Sequence, residues 1–217
     1  MIEGHFIVLE GIDGSGTTTQ CAMLAERLTD RGLPVHITRE PSDGPVGVLI
    51  RQILTGRVVV PGHHGAHPPS WATMAALFAA DRLDHLEAEV IPNLMDGVSI
   101  ISDRYDYSSV AYQTVSSGGG PDAATWVREL NRKARRPDLT LILDVDPEAA
   151  ASRRGSRSGS PELYETDAMQ TELAAFYSTI DELFPDDAIR HIDANRDIEH
   201  VANAIWAEVA ALRGETP

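Results

Sequence analysis

Short apolar runs alternate with longer amphipathic stretches along this chain. The runs at 5–10, 34–38, 97–102, 138–144 and 188–193 are rich in Val, Ile and Leu. Their length and composition predict strands covered on both faces. Between them, helical patterning predicts helices near 18–31, 45–54, 71–94, 107–116, 122–132, 147–154, 162–183 and 197–213. This order predicts an α/β fold, a mainly parallel sheet with helices on both sides. Such a sheet collects ligands at the carboxyl ends of its strands. Two stretches break the pattern. Residues 55–69, TGRVVVPGHHGAHPP, read as an exposed loop. Its His63, His64 and His67 suit a metal, but no cysteine or paired carboxylate completes a ligand set. Residues 153–160, RRGSRSGS, are basic and small, which suits a mobile lid or a plain surface turn. No repeat and no internal boundary stands out, so residues 1–217 are expected to form one domain.

Composition narrows the function classes. With 217 residues, the chain has enough length for a substantial core. It carries 33 acidic against 18 basic residues, a net charge of −15. That balance argues against general affinity for nucleic acid or anionic membranes. Lys133 is the only lysine, so arginine has to carry the cationic chemistry. The single cysteine, Cys21, has no internal disulfide partner, and a reducing cytoplasm is expected. The start, MIEGHFIVLEG, lacks the pattern of a secretory signal, and no apolar run has membrane-spanning length.

The chemistry-bearing residues fall at predicted strand ends. After the first strand comes GIDGSGTT, residues 11–18. Glycines at this place let backbone amides turn towards phosphate oxygens, and the next helix adds its positive end. Gly11, Gly16 and Thr18 fit the phosphate-loop pattern, with the Thr18 hydroxyl where magnesium is normally bound. Thr17 stands where that pattern has lysine. After the third strand comes Ser102-Asp103-Arg104-Tyr105. A carboxylate there serves magnesium, and the arginine suits an anionic substrate. Thr38-Arg39-Glu40-Pro41 places another arginine, whose planar fork matches phosphate, after the second strand.

The ordered set LEGIDGSG, TREP, LFAADR, SDRYDYSSVAYQ, RPDLTLILDVDPE and LYE, spread over roughly residues 5–200, resembles the thymidylate kinases. That resemblance implies a three-layer P-loop kinase fold, with a five-stranded parallel sheet and a short lid. It implies phosphoryl transfer from ATP to dTMP with Mg2+, and a homodimer. Gly11, Asp13, Gly14, Ser15, Gly16, Thr17, Thr18, Thr19 and Arg153 would hold the nucleotide. Thr18, Asp103 and Glu165 would serve the metal. Asp13 would contact the sugar hydroxyl, while Arg39 and Arg104 would grip the dTMP phosphate. Phe78 would stack on thymine, and Arg82, four residues on and on the same helical face, would bond a base carbonyl. Ser109 and Gln113 resemble base-contacting positions, Tyr112 the residue that crowds the sugar 2′ position, and Tyr164 a residue near the nucleotide.

The missing lysine leaves the source of positive charge open. Phosphoryl transfer depends on alignment and on charge around the moving group. Arg153, Arg154 and Arg157 crowd the lid segment, and a branch of the resembling family draws its catalytic arginine from there. Arg157 is the first candidate, with Arg154, Asp13 and Arg104 completing the catalytic set. The other readings are a nucleotide binder with impaired catalysis and a kinase for another pyrimidine monophosphate.

Overall fold

A computed structural model describes residues 4–155, 163, 164 and 166–215. Five strands form one parallel sheet: β1 (Phe6–Glu10), β2 (Val35–Arg39), β3 (Ser99–Asp103), β4 (Leu139–Asp144) and β5 (Ile189–Asp193). Their order is β2-β3-β1-β4-β5, so the chain reverses direction across the sheet beside β1. Parallel pairing needs crossover connections, which the intervening helices provide. These are α1 (Thr17–Thr29), α2 (Pro45–Leu54), α3 (Trp71–His85), α4 (Ile91–Met95), α5 (Asp106–Ser116), α6 (Pro121–Leu130), α7 (Pro147–Gly155) and α8 (Asp167–Tyr177), and α9 (Ile198–Leu212) follows the last strand.

Strand alternation builds two core layers. Ile7 and Leu9 of β1 point into the larger layer, while Phe6 and Val8 point into the smaller one with Leu86, Val90 and Ile100. All five residues of β1 are buried, as a central strand requires. The expectation that every strand is covered on both faces fails at β2 and β5. They are the sheet's edges, and His36, Ile37 and Arg39 or Arg190 and His191 reach towards solvent.

Two predicted helices are interrupted. The stretch 71–94 contains a π turn, Leu86–Val90, between α3 and α4. Pro92 follows it, and a proline lacks the N–H that the α-ladder needs. The wider turn lets Ile91 N–H donate to Leu86, and Asn93 Nδ2 donates to the Glu89 carbonyl at 2.8 Å. Among the described residues of the stretch 162–183 the helix starts at Asp167, behind the Thr166 cap, and it breaks after Tyr177 before a 3₁₀ turn at Ile180–Leu183. The expected lid at 153–160 also shifts: Arg153 and Arg154 belong to the last turn of α7, and its residues from 156 on lie outside the described residues.

Candidate active site

The strand register brings the marked residues to one edge. Leu9 pairs with Asp103 and Arg39 also pairs with Asp103, so the ends of β1, β2 and β3 finish level. The glycine loop then turns through positive φ at Gly11 (153°), Gly14 (92°) and Gly16 (101°) and enters α1. At Gly14 an added Cβ would lie 2.5 Å from the Ala150 carbonyl oxygen and 3.2 Å from Arg154 Cγ. Only a glycine lets α7 pack this closely against the loop.

That packing puts two arginines on the loop backbone. Arg154 donates to the Asp13 carbonyl at 2.6 Å and pairs with Asp167 at 2.8 Å. Arg153 bridges the Ser15 carbonyl at 3.4 Å and the Ala194 carbonyl at 3.0 Å. Thr17 is buried in the first turn of α1, whereas Lys133 is exposed elsewhere. Thr19 is exposed beside it on α1. Arg157 and Glu165 lie outside the described residues.

The magnesium expectation meets a fitting pair of oxygens. Thr18 Oγ1 donates to Asp103 Oδ2 at 2.5 Å, and Asp103 Oδ1 is buried with no hydrogen-bond partner among the described residues. A hard cation that keeps waters and phosphate oxygens needs few protein ligands. No cluster of three or more His, Cys, Asp or Glu suited to a metal occurs among the described residues. His63, His64 and His67 are exposed.

Arg104 sits at the centre of the edge. It is the one non-glycine residue with positive φ among the described residues, at 76°. Its guanidinium donates to the Gly11 carbonyl at 2.8 Å, Ser108 Oγ at 3.1 Å and Asp13 Oδ1 at 2.5 Å. Gln170 holds the other side of Asp13, donating to its Oδ2 and accepting from its N–H, each at 2.9 Å.

Beside this charged edge lies a pocket whose walls include Phe78, Arg82, Ser109, Tyr112, Gln113 and Tyr164. Arg82 is fully buried, bonded to Glu40 at 2.5 Å, to Ser109 Oγ at 3.1 Å and to Asn131 Oδ1. Gln113 is fully buried, and its amide forms no well-shaped hydrogen bond. The Tyr112 and Tyr164 rings meet edge to face at 5.6 Å. The Tyr112 hydroxyl is held far above its ordinary range, mainly by burial, so it stays a neutral donor. Arg39 is not part of the pocket wall. It is exposed at the sheet rim and pairs with Asp43 at 3.0 Å.

The family model described as thymidylate kinase matches residues 9–205. The chain belongs to the thymidylate kinase family. It is 40% identical to the probable thymidylate kinase of Thermococcus kodakarensis, over 97% of this chain and 99% of that protein. It is 34% identical to the thymidylate kinase of Alkalilimnicola ehrlichii, over 97% of this chain and 94% of the other. The corresponding figures for the thymidylate kinase of Thermomicrobium roseum are 37%, 95% and 95%.

Polar residues that the sequence reading passed over also build this thymidylate kinase-family site. Glu10 is fully buried at the end of β1 and accepts from the Tyr105 and Ser108 N–H groups, Ser108 Oγ and Tyr177 OH. Burial pushes its carboxyl up to about 7, against the pull of Arg104 and these donors. A charged residue ending an apolar strand was the available signal. Glu40 carried no comparable signal, because its partner Arg82 is 42 residues away. Gln170 reaches Asp13 across 157 residues. Cys21 is buried, and burial pushes its thiol up, so it serves packing rather than reaction.

Proposed function

We propose that this protein transfers the terminal phosphoryl group of ATP to dTMP, giving dTDP and ADP. The carrying observation is the convergence at one sheet edge of a phosphate-shaped loop, the Thr18–Asp103 pair, the Arg104–Asp13 pair and a pocket lined by Phe78, Arg82 and Gln113 among others. The loop amides and α1 N-terminus would cradle the donor phosphates. Thr18 and Asp103 would hold magnesium, with Glu165 as a further candidate, and the ion would neutralise charge spread over the donor phosphates. Arg104 would turn to the acceptor phosphate, with Arg39 swinging in from the rim. Phe78 would stack on the thymine ring while Arg82, Ser109 and Gln113 read its polar edge. Tyr112 would crowd the 2′ position, and Tyr164 would close the pocket beside it.

The charge normally carried by the loop lysine would come from α7 and the segment after it. Arg154 and Arg153 already rest on the loop carbonyls, and Arg157 follows three residues on in the sequence. Arginine's delocalised fork spreads charge over several phosphate oxygens, which suits a loose transition state. A homodimer extends the reading, with exposed Val48, Leu49 and Leu83 as apolar surface for it. A reducing cytoplasm suits the single buried thiol. No helix among the described residues is long and apolar enough to cross a membrane.

The test is direct. Purified protein is mixed with ATP, magnesium and dTMP, and dTDP is measured beside dUMP and dCMP controls and a Thr17→Lys variant. Rapid formation of dTDP by the unmodified protein is expected. Activity that appears only with the lysine variant would reduce the natural chain to a nucleotide binder.

A further inference from the structure

A chain of charged side chains runs from the exposed edge strand into the pocket. His36 on β2, half-exposed, meets Glu89 Oε1 at 2.7 Å. Glu89 Oε2 lies 3.6 Å from His85 Nε2, which also meets Thr38 Oγ1 at 2.7 Å. His85 Nδ1 lies 3.3 Å from Glu40 Oε1, and Glu40 Oε2 accepts from Arg82 at 2.5 Å. His85, Glu40 and Arg82 are all buried. The same Arg82 lines the pocket, and its Nε has no partner among the described residues.

We propose that His85 is a positioning residue for the monophosphate pocket: it holds Glu40, and through it the Arg82 guanidinium, and makes the pocket's affinity for its anionic substrate depend on the His85 proton. The proposal rests on the reading of Arg82 as a substrate contact. The physical logic is a shared counter-charge. With His85 protonated, Glu40 lies between two cations and Arg82 keeps part of its field for a ligand. When His85 loses its proton, Glu40 has Arg82 as its remaining close cation, and the pocket wall loses one positive charge. Both changes weaken binding of a phosphate-bearing substrate, because a charge behind a buried wall is poorly screened.

The groups facing His85 set where this happens. Glu40 and Asp43 face it from the end of β2 and the loop beyond, Asp81 and Arg82 from α3, and Glu89 from the π turn, with His36 outside. Burial alone would push the imidazole down. The Glu40 hydrogen bond and the charges of Glu40, Glu89 and Asp81 outweigh it, so His85 is raised above its ordinary value. Its proton is therefore held to higher pH than that of a free imidazole. His36 and Glu89 give that proton a polar route to solvent.

The experiment measures KM for dTMP and kcat between pH 6 and 9 for the unmodified protein and His85→Gln. Glutamine keeps a donor for Glu40 but carries no charge. The variant is expected to raise KM about fivefold at pH 6, the order of one partly screened charge. Its KM is expected to converge on that of the unmodified protein at pH 9, with kcat moving less than KM. Taking the two proteins in parallel removes the titration of the substrate phosphate from the comparison. An unchanged KM profile in His85→Gln, or a fall in kcat at constant KM, overturns the proposal. Glu89→Gln is measured beside it and leaves His85 in place. It is expected to move the rise in KM to lower pH, and no movement overturns the proposal even where His85→Gln fails to fold. Arg82→Lys separates the two layers of the argument. If that change leaves KM for dTMP untouched, the pocket reading itself fails. If it raises KM while both other variants retain the original pH profile, only the role of His85 fails.

Discussion

Glu10 is a carboxylate at the end of the central strand β1, with four donors and no exposure. The Tyr105 and Ser108 N–H groups among them fix the backbone just after Arg104, whose positive φ is otherwise unfavourable for a side-chain-bearing residue. The cost is desolvation, which raises the carboxyl from 4.5 to about 7. The sign follows from linkage. A raised folded-state value means the folded protein holds the proton more tightly, so this contribution to stability is full below about 4.5 and is lost as pH rises through about 7. A shift of this size corresponds to roughly 3 kcal/mol at most. Glu10→Gln keeps two acceptor bonds to N–H groups and lets the Ser108 and Tyr177 hydroxyls reorient. Chemical denaturation at pH 5 and pH 8 is expected to give a smaller loss of stability for the variant than for the unmodified protein. Equal losses would show that Glu10 is ionised throughout. Arg104 acts at the same scale. Arg104→Ala is expected to cut kcat/KM for dTMP by at least 10²-fold, roughly 3 kcal/mol, because it removes both a phosphate contact and the brace on Asp13. Steady-state kinetics with a thermal melt as folding control checks it.

At the scale of elements, α7 packs on the glycine loop and brings Arg153 and Arg154 to a loop without lysine. Gly14 is the hinge of that contact. A methyl group there meets the Ala150 carbonyl at 2.5 Å, and the residue's φ is 92°. Gly14→Ala is expected to cost about 1–2 kcal/mol from backbone conformation alone. It is also expected to raise KM for ATP severalfold as Arg153 and Arg154 leave the loop carbonyls. A melt combined with ATP titration tests this, and a lower melting temperature with unchanged KM would separate the packing from the binding. The sequence made most of this level readable. Val, Ile and Leu mark β1, β3 and β4 because those strands are buried, and the glycine loop and Asp103-Arg104 announce themselves by following them. The edge strands were readable as strands but not as edges, since strand order is a tertiary fact. The π turn was hidden because the apolar spacing continues through Leu86 and Val90. Glu40, His85 and Gln170 were hidden for a related reason: each matters through partners far away in sequence, and no local spacing encodes such pairs. Arg39 was the opposite case: taken alone it reads as a surface residue, only the family resemblance marks it, and the fold places it on the rim.

At the scale of the whole molecule, the net charge of −15 opposes a function that gathers anions. Two of the arginines at the site, Arg104 and Arg154, are each mostly buried. Exposed pairs such as Arg39–Asp43 and Arg132–Glu129 leave more than half of each side chain in solvent. Each such pair contributes about 0–1 kcal/mol, and salt weakens it. Salt also relieves the repulsion among unpaired surface carboxylates, which acts over the whole body. At 0.1 M the Debye length is about 10 Å, shorter than the molecule, so this relief is large and the buried contacts are hardly touched. The two effects have opposite signs, and the excess of 33 acidic over 18 basic residues makes the repulsion the larger. The melting temperature is therefore expected to rise by several degrees between about 20 mM and about 500 mM KCl, on the scale of 1 kcal/mol for a chain this long. Over the same range kcat/KM for dTMP is expected to hold or improve, because the approach of the anion becomes easier while Arg82 and Arg104 remain shielded from the added ions. A melting temperature that falls with KCl would mean that the surface ion pairs act as a network, and that the acidic surface stabilises the fold instead of straining it.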